Sequence, residues 1–306
     1  MKKIYLPFMI MALATSCQKE NVINRSDAKM QKDILITTNL DSYSRAGIAD
    51  TDLQNFVLSI DQEGEELDYS NVFVSKQSDD SWKPYESSED GALEKSMKWY
   101  NMDSPTNVIA VYRNNEKTLN TNVDITGYIP AIQKEETSRT TEILYFNDKV
   151  TPGKEGVINV KFTHLFSKIE VTPDLSSMTD AELTNVYIYQ TYNNYTFTPN
   201  EGSLQINKDK GTTRITPYLA EGSSKYEAIV LPQEMKNAFV SVVFTLPNPN
   251  NQANRITYKQ TAVFPEGFEL ESGMKYSINL PVADPTEPST RAAINNMNIQ
   301  EKEWCL

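Results

Sequence analysis

Apolar and polar residues alternate with a period of two along most of this chain, in short runs. The runs fall at 33–39, 53–60, 71–76, 107–112, 141–146, 156–166, 168–172, 184–192, 225–231, 239–246, 255–261 and 275–282. Successive side chains on a strand point to opposite faces, so each run predicts a strand with one apolar face. Turn formers separate the runs, among them Gly64, Pro84, Gly91, Pro105, Gly127, Pro152-Gly153, Pro199, Gly211, Gly222 and Gly273. No window shows a long amphipathic helix, and one helical turn is expected at 180–183. Strands at this spacing without intervening helices predict an all-β sandwich class.

Two places break the pattern informatively. Val160, Phe162, His164 and Phe166 put the apolar phase on even positions, whereas Ile169 and Val171 put it on odd ones. A strand cannot change phase without a bulge, a bend or a passage between domains. A domain boundary is therefore expected just before this strand, around 153–156. Near the other end, residues 284–291 form a polar linker with two prolines, which favours extended chain. Beyond it Ile294, Met297, Ile299 and Trp304 space out one more candidate strand. The expected organisation is 1–16, 17–32, 33–156, 157–284 and 285–306: leader, tether, two β domains, then linker and last strand.

The leader reads as a secretory signal: Lys2 and Lys3, an apolar run from Ile4 to Ala14, then small residues before Cys17. The run is shorter than the ~20 apolar residues a membrane helix needs. Leu13-Ala14-Thr15-Ser16-Cys17 looks like a bacterial lipobox, which implies cleavage before Cys17 and acylation of its thiol. Lipid is then the expected anchor, and an outer-membrane or surface location follows. Residues 18–32 are polar and read as a tether. Cys305 is left as a lone thiol, read as a tolerated terminal cysteine.

Charge and composition narrow the chemistry. The 306 residues hold 41 acidic and 29 basic side chains, a net −12, and losing Lys2 and Lys3 with the leader takes this to −14. So acidic a chain is a poor partner for nucleic acid or anionic lipid. One His and two Cys exclude a His/Cys zinc site or an iron–sulfur cluster, and no cofactor is expected. At ~150 residues per domain the length suggests about two domains. Sixteen Tyr against 11 Gly suit a β protein better than a nucleotide-binding α/β fold.

Several motifs in order resemble the fimbrillin lipoproteins of Bacteroidales, the subunits and accessory proteins of type V pili. These are the lipobox, Ser44-Arg45-Ala46 ahead of Leu53-Gln-Asn-Phe56-Val57, and Thr141-Glu-Ile-Leu-Tyr145. Then come Val160-Lys-Phe-Thr-His164-Leu-Phe-Ser-Lys-Ile-Glu-Val171, Ile229-Val-Leu-Pro-Gln233, Leu270-Glu-Ser-Gly273-Met-Lys-Tyr276 and Trp304. The resemblance implies two tandem transthyretin-like β-sandwich domains and assembly with other fimbrial subunits by strand exchange. It makes Arg45-Ala46 the candidate protease-processing site. It also implies that residues 33–40, with Ile34 and Ile36 inward, are the strand that leaves. Residues 292–304 of a neighbour are the candidate replacement. The receptor is not implied.

Other readings compete on the residues themselves. His164 is read as a partly buried strand residue at the junction, since no nucleophile or acid signature surrounds it. The abundant carboxylates mark no catalytic pair and, at 62–66, 79–80 and 86–90, no calcium-loop spacing. Tyr187, Tyr189, Tyr192, Tyr195, Trp82 and Trp99 either stack on sugars or reflect β propensity. The expected function is non-enzymatic: a lipid-anchored fimbrial or adhesive subunit. The alternative is a surface glycan-binding lipoprotein that serves an outer-membrane transporter. The first needs a detachable strand beside an apolar groove, the second an exposed aromatic platform.

Overall fold

The computed structural model describes residues 32–38, 53–62, 68–89, 91–114, 116, 118–134, 141–219, 222–285 and 297–303. Regular structure in these residues is almost all strand. The first half contributes β1 (Leu35–Thr38), β2 (Asn55–Asp61), β3 (Tyr69–Lys76), β4 (Trp82–Tyr85), β5 (Thr106–Arg113), β6 (Ile125–Tyr128), β7 (Ile143–Val150), β8 (Val157–Val160) and β9 (Thr163–His164). The second half contributes β10 (Ser167–Asp174), β11 (Glu182–Thr191), β12 (Asn194–Thr198), β13 (Ser203–Ile206), β14 (Thr213–Ile215) and β15 (Tyr218–Leu219). It ends with β16 (Tyr226–Val230), β17 (Phe239–Asn248), β18 (Asn251–Val263), β19 (Met274–Pro281) and β20 (Asn298–Glu303).

The later strands form a β-sandwich. A five-stranded sheet, ordered β15-β16-β10-β19-β20, faces a four-stranded one, ordered β14-β11-β17-β18. Ile169, Val171, Ala228, Val230, Tyr276 and Ile278 from the first meet Val186, Ile188, Val240, Val242, Phe244 and Ala262 from the second in one buried core. The alternation seen in sequence is thus the alternation of core and outer faces.

The early strands form a six-stranded antiparallel sheet, ordered β4-β3-β2-β5-β7-β9. Both of its faces are covered. Phe56, Leu58, Val108, Ala110 and Leu144 face a core closed by the parallel pair β1–β8. Val57, Ile109, Val111 and Ile143 face a second core. That second core is closed by Ile125 of β6 and by Tyr195 and Phe197 of β12. These belong to a small sheet ordered β13-β12-β6, in which a hairpin from the second half of the chain pairs with a strand of the first.

Residues 156–166, expected as one strand, are broken in three. Val157–Val160 pairs with β1, Thr163–His164 pairs with β7, and the chain then bends at Leu165-Phe166 into β10. Burial alternates up to His164 and is continuous from there to Val171, so the phase slip is that bend. The helical turn expected at 180–183 is absent. Asp180 takes φ 60 in a turn that leads directly into β11.

Candidate interaction site at the first strand

The segment from Lys32 to Thr38 lies in a groove over the first core. Ile34 and Ile36 are 6 % and 7 % exposed, while Leu35 between them is 52 % exposed. The inward pair expected from alternation is therefore found. Two partners hold the backbone. Ile34 N–H donates to Met97 O at 3.0 Å, and Trp99 N–H donates to Lys32 O at 2.8 Å. The chain then switches sides: Leu35 N–H donates to Gly156 O at 3.0 Å, and Leu35 to Thr38 run parallel to Val157 to Val160.

Gly156 makes the switch possible. It sits at φ +71, a left-handed conformation that disfavours side chains, and an added Cβ would stand 2.9 Å from Asp33 O. Its carbonyl also accepts the indole N–H of Trp99 at 2.9 Å. Trp99, fully buried, forms the floor with Met97. Lys98 and Asp33 form an ion pair at the rim.

The ladder is short, and β8 is the only strand paired with β1. Its other side faces β4 across two open clefts of about 500 and 400 Å³, bordered by Ile34, Leu35, Ile36, Trp82 and Pro84. Burying an isoleucine is worth ~1.5–3 kcal/mol, so Ile34 and Ile36 together contribute about 3–6 kcal/mol to this groove.

At the opposite end of the chain, β20 pairs antiparallel with β19, from Met274↔Glu303 to Asn279↔Asn298. It forms one edge of the five-stranded sheet, and five of its six side chains are exposed. Met297 and Ile299 pack only partly against the core. The expected last strand exists, and in this chain it lies on its own sheet.

Two buried polar clusters lie away from the groove. His164 is 1 % exposed, its Nδ1 against Glu142 Oε1. Burial, helped by the positive charge of Lys168, pushes its pKa down to about 3, so the imidazole is neutral. The expected partly buried residue is thus a fully buried one. Beside it, Lys168 Nζ lies 2.9 Å from Glu227 and 3.6 Å from Glu170. Burial pushes the Lys168 amine down despite both carboxylates. Burial pushes the Glu170 carboxyl up, but Lys168, Lys275 and Lys225 outweigh it and hold the pKa below the ordinary value.

The aromatic candidates separate. Trp99 and Tyr195 are buried, and Trp82 packs on Phe56 at 5.1 Å, so these three serve cores. Tyr187 and Tyr189 lie on the outer face of β11. Cys17, Arg45 and Ala46 lie outside the described residues. Among the described residues no helix is long and apolar enough to cross a membrane.

A fimbrillin-like family model matches residues 46–296, most of the chain. The chain belongs to the fimbrillin-like family. No curated protein matches it. Among solved structures, this fimbrillin-like chain is similar to a candidate cell-adhesion protein from Bacteroides uniformis, with TM-score 0.59 and 15 % identity over 90 % of this chain and 99 % of that one. A second such protein, from Bacteroides ovatus, gives 0.55 and 16 % over 89 % and 96 %. A fimbrial protein from Bacteroides vulgatus gives 0.55 and 13 % over 89 % and 99 %. At such identities the likeness establishes a shared fold, which is the all-β sandwich architecture expected from the sequence.

Proposed function

We propose that this fimbrillin-like protein is a lipid-anchored fimbrial subunit of the cell surface that assembles by exchanging its first strand. The observation that carries the reading is the groove: two isoleucines at i and i+2, a short parallel ladder, and open clefts beside it. Acylation at Cys17 tethers the chain, and cleavage between Arg45 and Ala46 frees the segment that carries β1. The emptied groove then presents an apolar row and unpaired N–H and C=O groups, which favour a matching strand. Met297 and Ile299 of a second subunit repeat the i, i+2 spacing of Ile34 and Ile36.

The same reading divides the chain into two tandem sandwich domains. The packing favours assigning 157–164 to the first, because Ile158, Val160 and Phe162 lie in the core under β1. The crossing then falls at the Leu165-Phe166 bend.

N-terminal sequencing of surface-assembled protein tests the exchange. Ala46 is the expected first residue, and Arg45→Ala is expected to leave unassembled, membrane-bound subunit. Assembled material that still begins at Cys17 would exclude strand removal. Cys17→Ser is expected to abolish lipid labelling and release the protein from the membrane, since stable anchoring takes two acyl chains. Retention of that variant would exclude the lipid anchor.

A further inference from the structure

The outer face of the four-stranded sheet carries a compact cationic and aromatic cluster. The registers set it out in rows. Arg214, Tyr189, Phe239 and Val263 are neighbours across β14, β11, β17 and β18, and Tyr187, Ser241 and Thr261 form the next row. Lys259 lies one row further, opposite Val243, yet its Nζ sits 5.0 Å from the Tyr189 ring centre. Its stem must therefore cross the Ser241 row. The Arg214 guanidinium sits 4.6 Å from the Tyr187 ring and 6.0 Å from the Tyr189 ring. Two cations thus converge on one tyrosine.

Neither cation has a carboxylate partner among the described residues, although the chain carries 41 acidic side chains. The ring faces are taken: Tyr189 stacks on Phe239 at 4.7 Å and 11°, and Arg214 covers Tyr187. Ring edges remain, and these are the positive rim of the aromatic quadrupole. The Ser241 hydroxyl on this face is fully buried and has no hydrogen-bond partner. Everything on this face that is free to interact suits an anion with hydroxyl neighbours.

Size selects the ligand class. Four strands at ~4.8 Å spacing and two same-face residues along a strand give a patch of about 14 by 7 Å. That is about 100 Å², far below the ~800 Å² per partner of a stable protein interface. It matches one or two sugar rings, with Asn185, Thr257 and Thr261 as neutral polar neighbours.

We infer that this face binds carboxylate-bearing saccharides, hexuronates in particular. Arg214 and Lys259 hold the carboxylate, and the tyrosines border the ring. The site is separate from the first-strand groove, so it stands whether or not that strand is exchanged.

Binding of the full chain lacking only its leader, with Cys17→Ser for solubility, is measured to immobilised polygalacturonate, neutral dextran, dextran sulfate and polyglutamate. Saturable binding to polygalacturonate that exceeds the other three is expected. Arg214→Gln with Lys259→Gln is expected to weaken it at least tenfold, with an unchanged melting temperature because both side chains are exposed. Tyr189→Ala provides a second variant outside the charge pair and is expected to weaken it as well. Equal binding to polyglutamate or dextran sulfate would reduce the face to a polyanion or protein contact and overturn the inference. So would absence of polygalacturonate binding, or its survival in the double variant.

Discussion

His164 offers a direct test of how much burial costs in this fold. It is the only histidine in the chain, so its titration is readable without ambiguity. The folded imidazole has its pKa lowered from 6.5 to about 3, because burial excludes water and Lys168 repels a second positive charge. Glu142 against its Nδ1 acts in the opposite sense, and the two influences compete directly. With desolvation ahead, the unfolded chain takes up a proton near pH 6.5 and the folded chain does not until about 3. Between those values the unfolded state binds more protons, so stability falls on acidification and levels off below the folded pKa. From pH 7 to pH 5 the loss is about 2 kcal/mol, at ~1.4 kcal/mol for each pH unit below 6.5. That is a large share of a typical ~5–15 kcal/mol. Urea unfolding at pH 7, 6 and 5 measures it, and ordinary carboxylates contribute little in that window. His164→Gln cannot titrate and should show a flatter dependence over the same range, whatever its absolute stability. A single imidazole NMR signal that titrates at or above pH 6.5 would show that Glu142 prevails. Equal pH slopes in wild type and variant would refute the argument as well.

Gly156→Ala should loosen the first strand while leaving the sandwich of β10–β20 intact, since its Cβ meets Asp33 O at 2.9 Å and its φ is +71. Faster amide exchange at Ile34 and Leu35, with unchanged exchange at Val240 and Val242, is the expected pattern. Deleting 292–306 should lower stability by no more than about 2 kcal/mol, because only Met297 and Ile299 of the described part are partly buried. A much larger loss in calorimetry would make β20 part of the core that folds the subunit.

The strands that were plain in the sequence are those whose alternation is resolved within one segment. β11 and β17 are of this kind: Val186 and Ile188, or Val240 and Val242, face a core supplied by the opposite sheet. What was missed depends on remote partners. β6 is four residues long and gains its place only by pairing with β12, many residues later. Tyr195 looked available for sugars, yet it closes the core between the halves. β4 carries Pro84 and survives as an edge strand, where a missing N–H is tolerated. Lys168 and Glu170 alternate with Ile169 and Val171 in the manner of a solvated face. Glu227 and Lys275, from neighbouring strands, turn that face into a buried charge network. Local pattern specifies which residues share a face but not what will cover it. The inward pair Ile34 and Ile36 was legible, whereas the Gly156 switch that seats them was not.

The six-stranded sheet has a consequence for how a loss on one side is felt on the other. Phe56 and Leu58 face the groove, and Val57 between them faces the hairpin β12–β13. The sheet is thus a bulkhead: its backbone ladder stands between two compartments that share no side chains. If water enters the compartment beneath β1, the compartment that joins the two halves stays dry. The subunit can open at one wall without coming apart at the other.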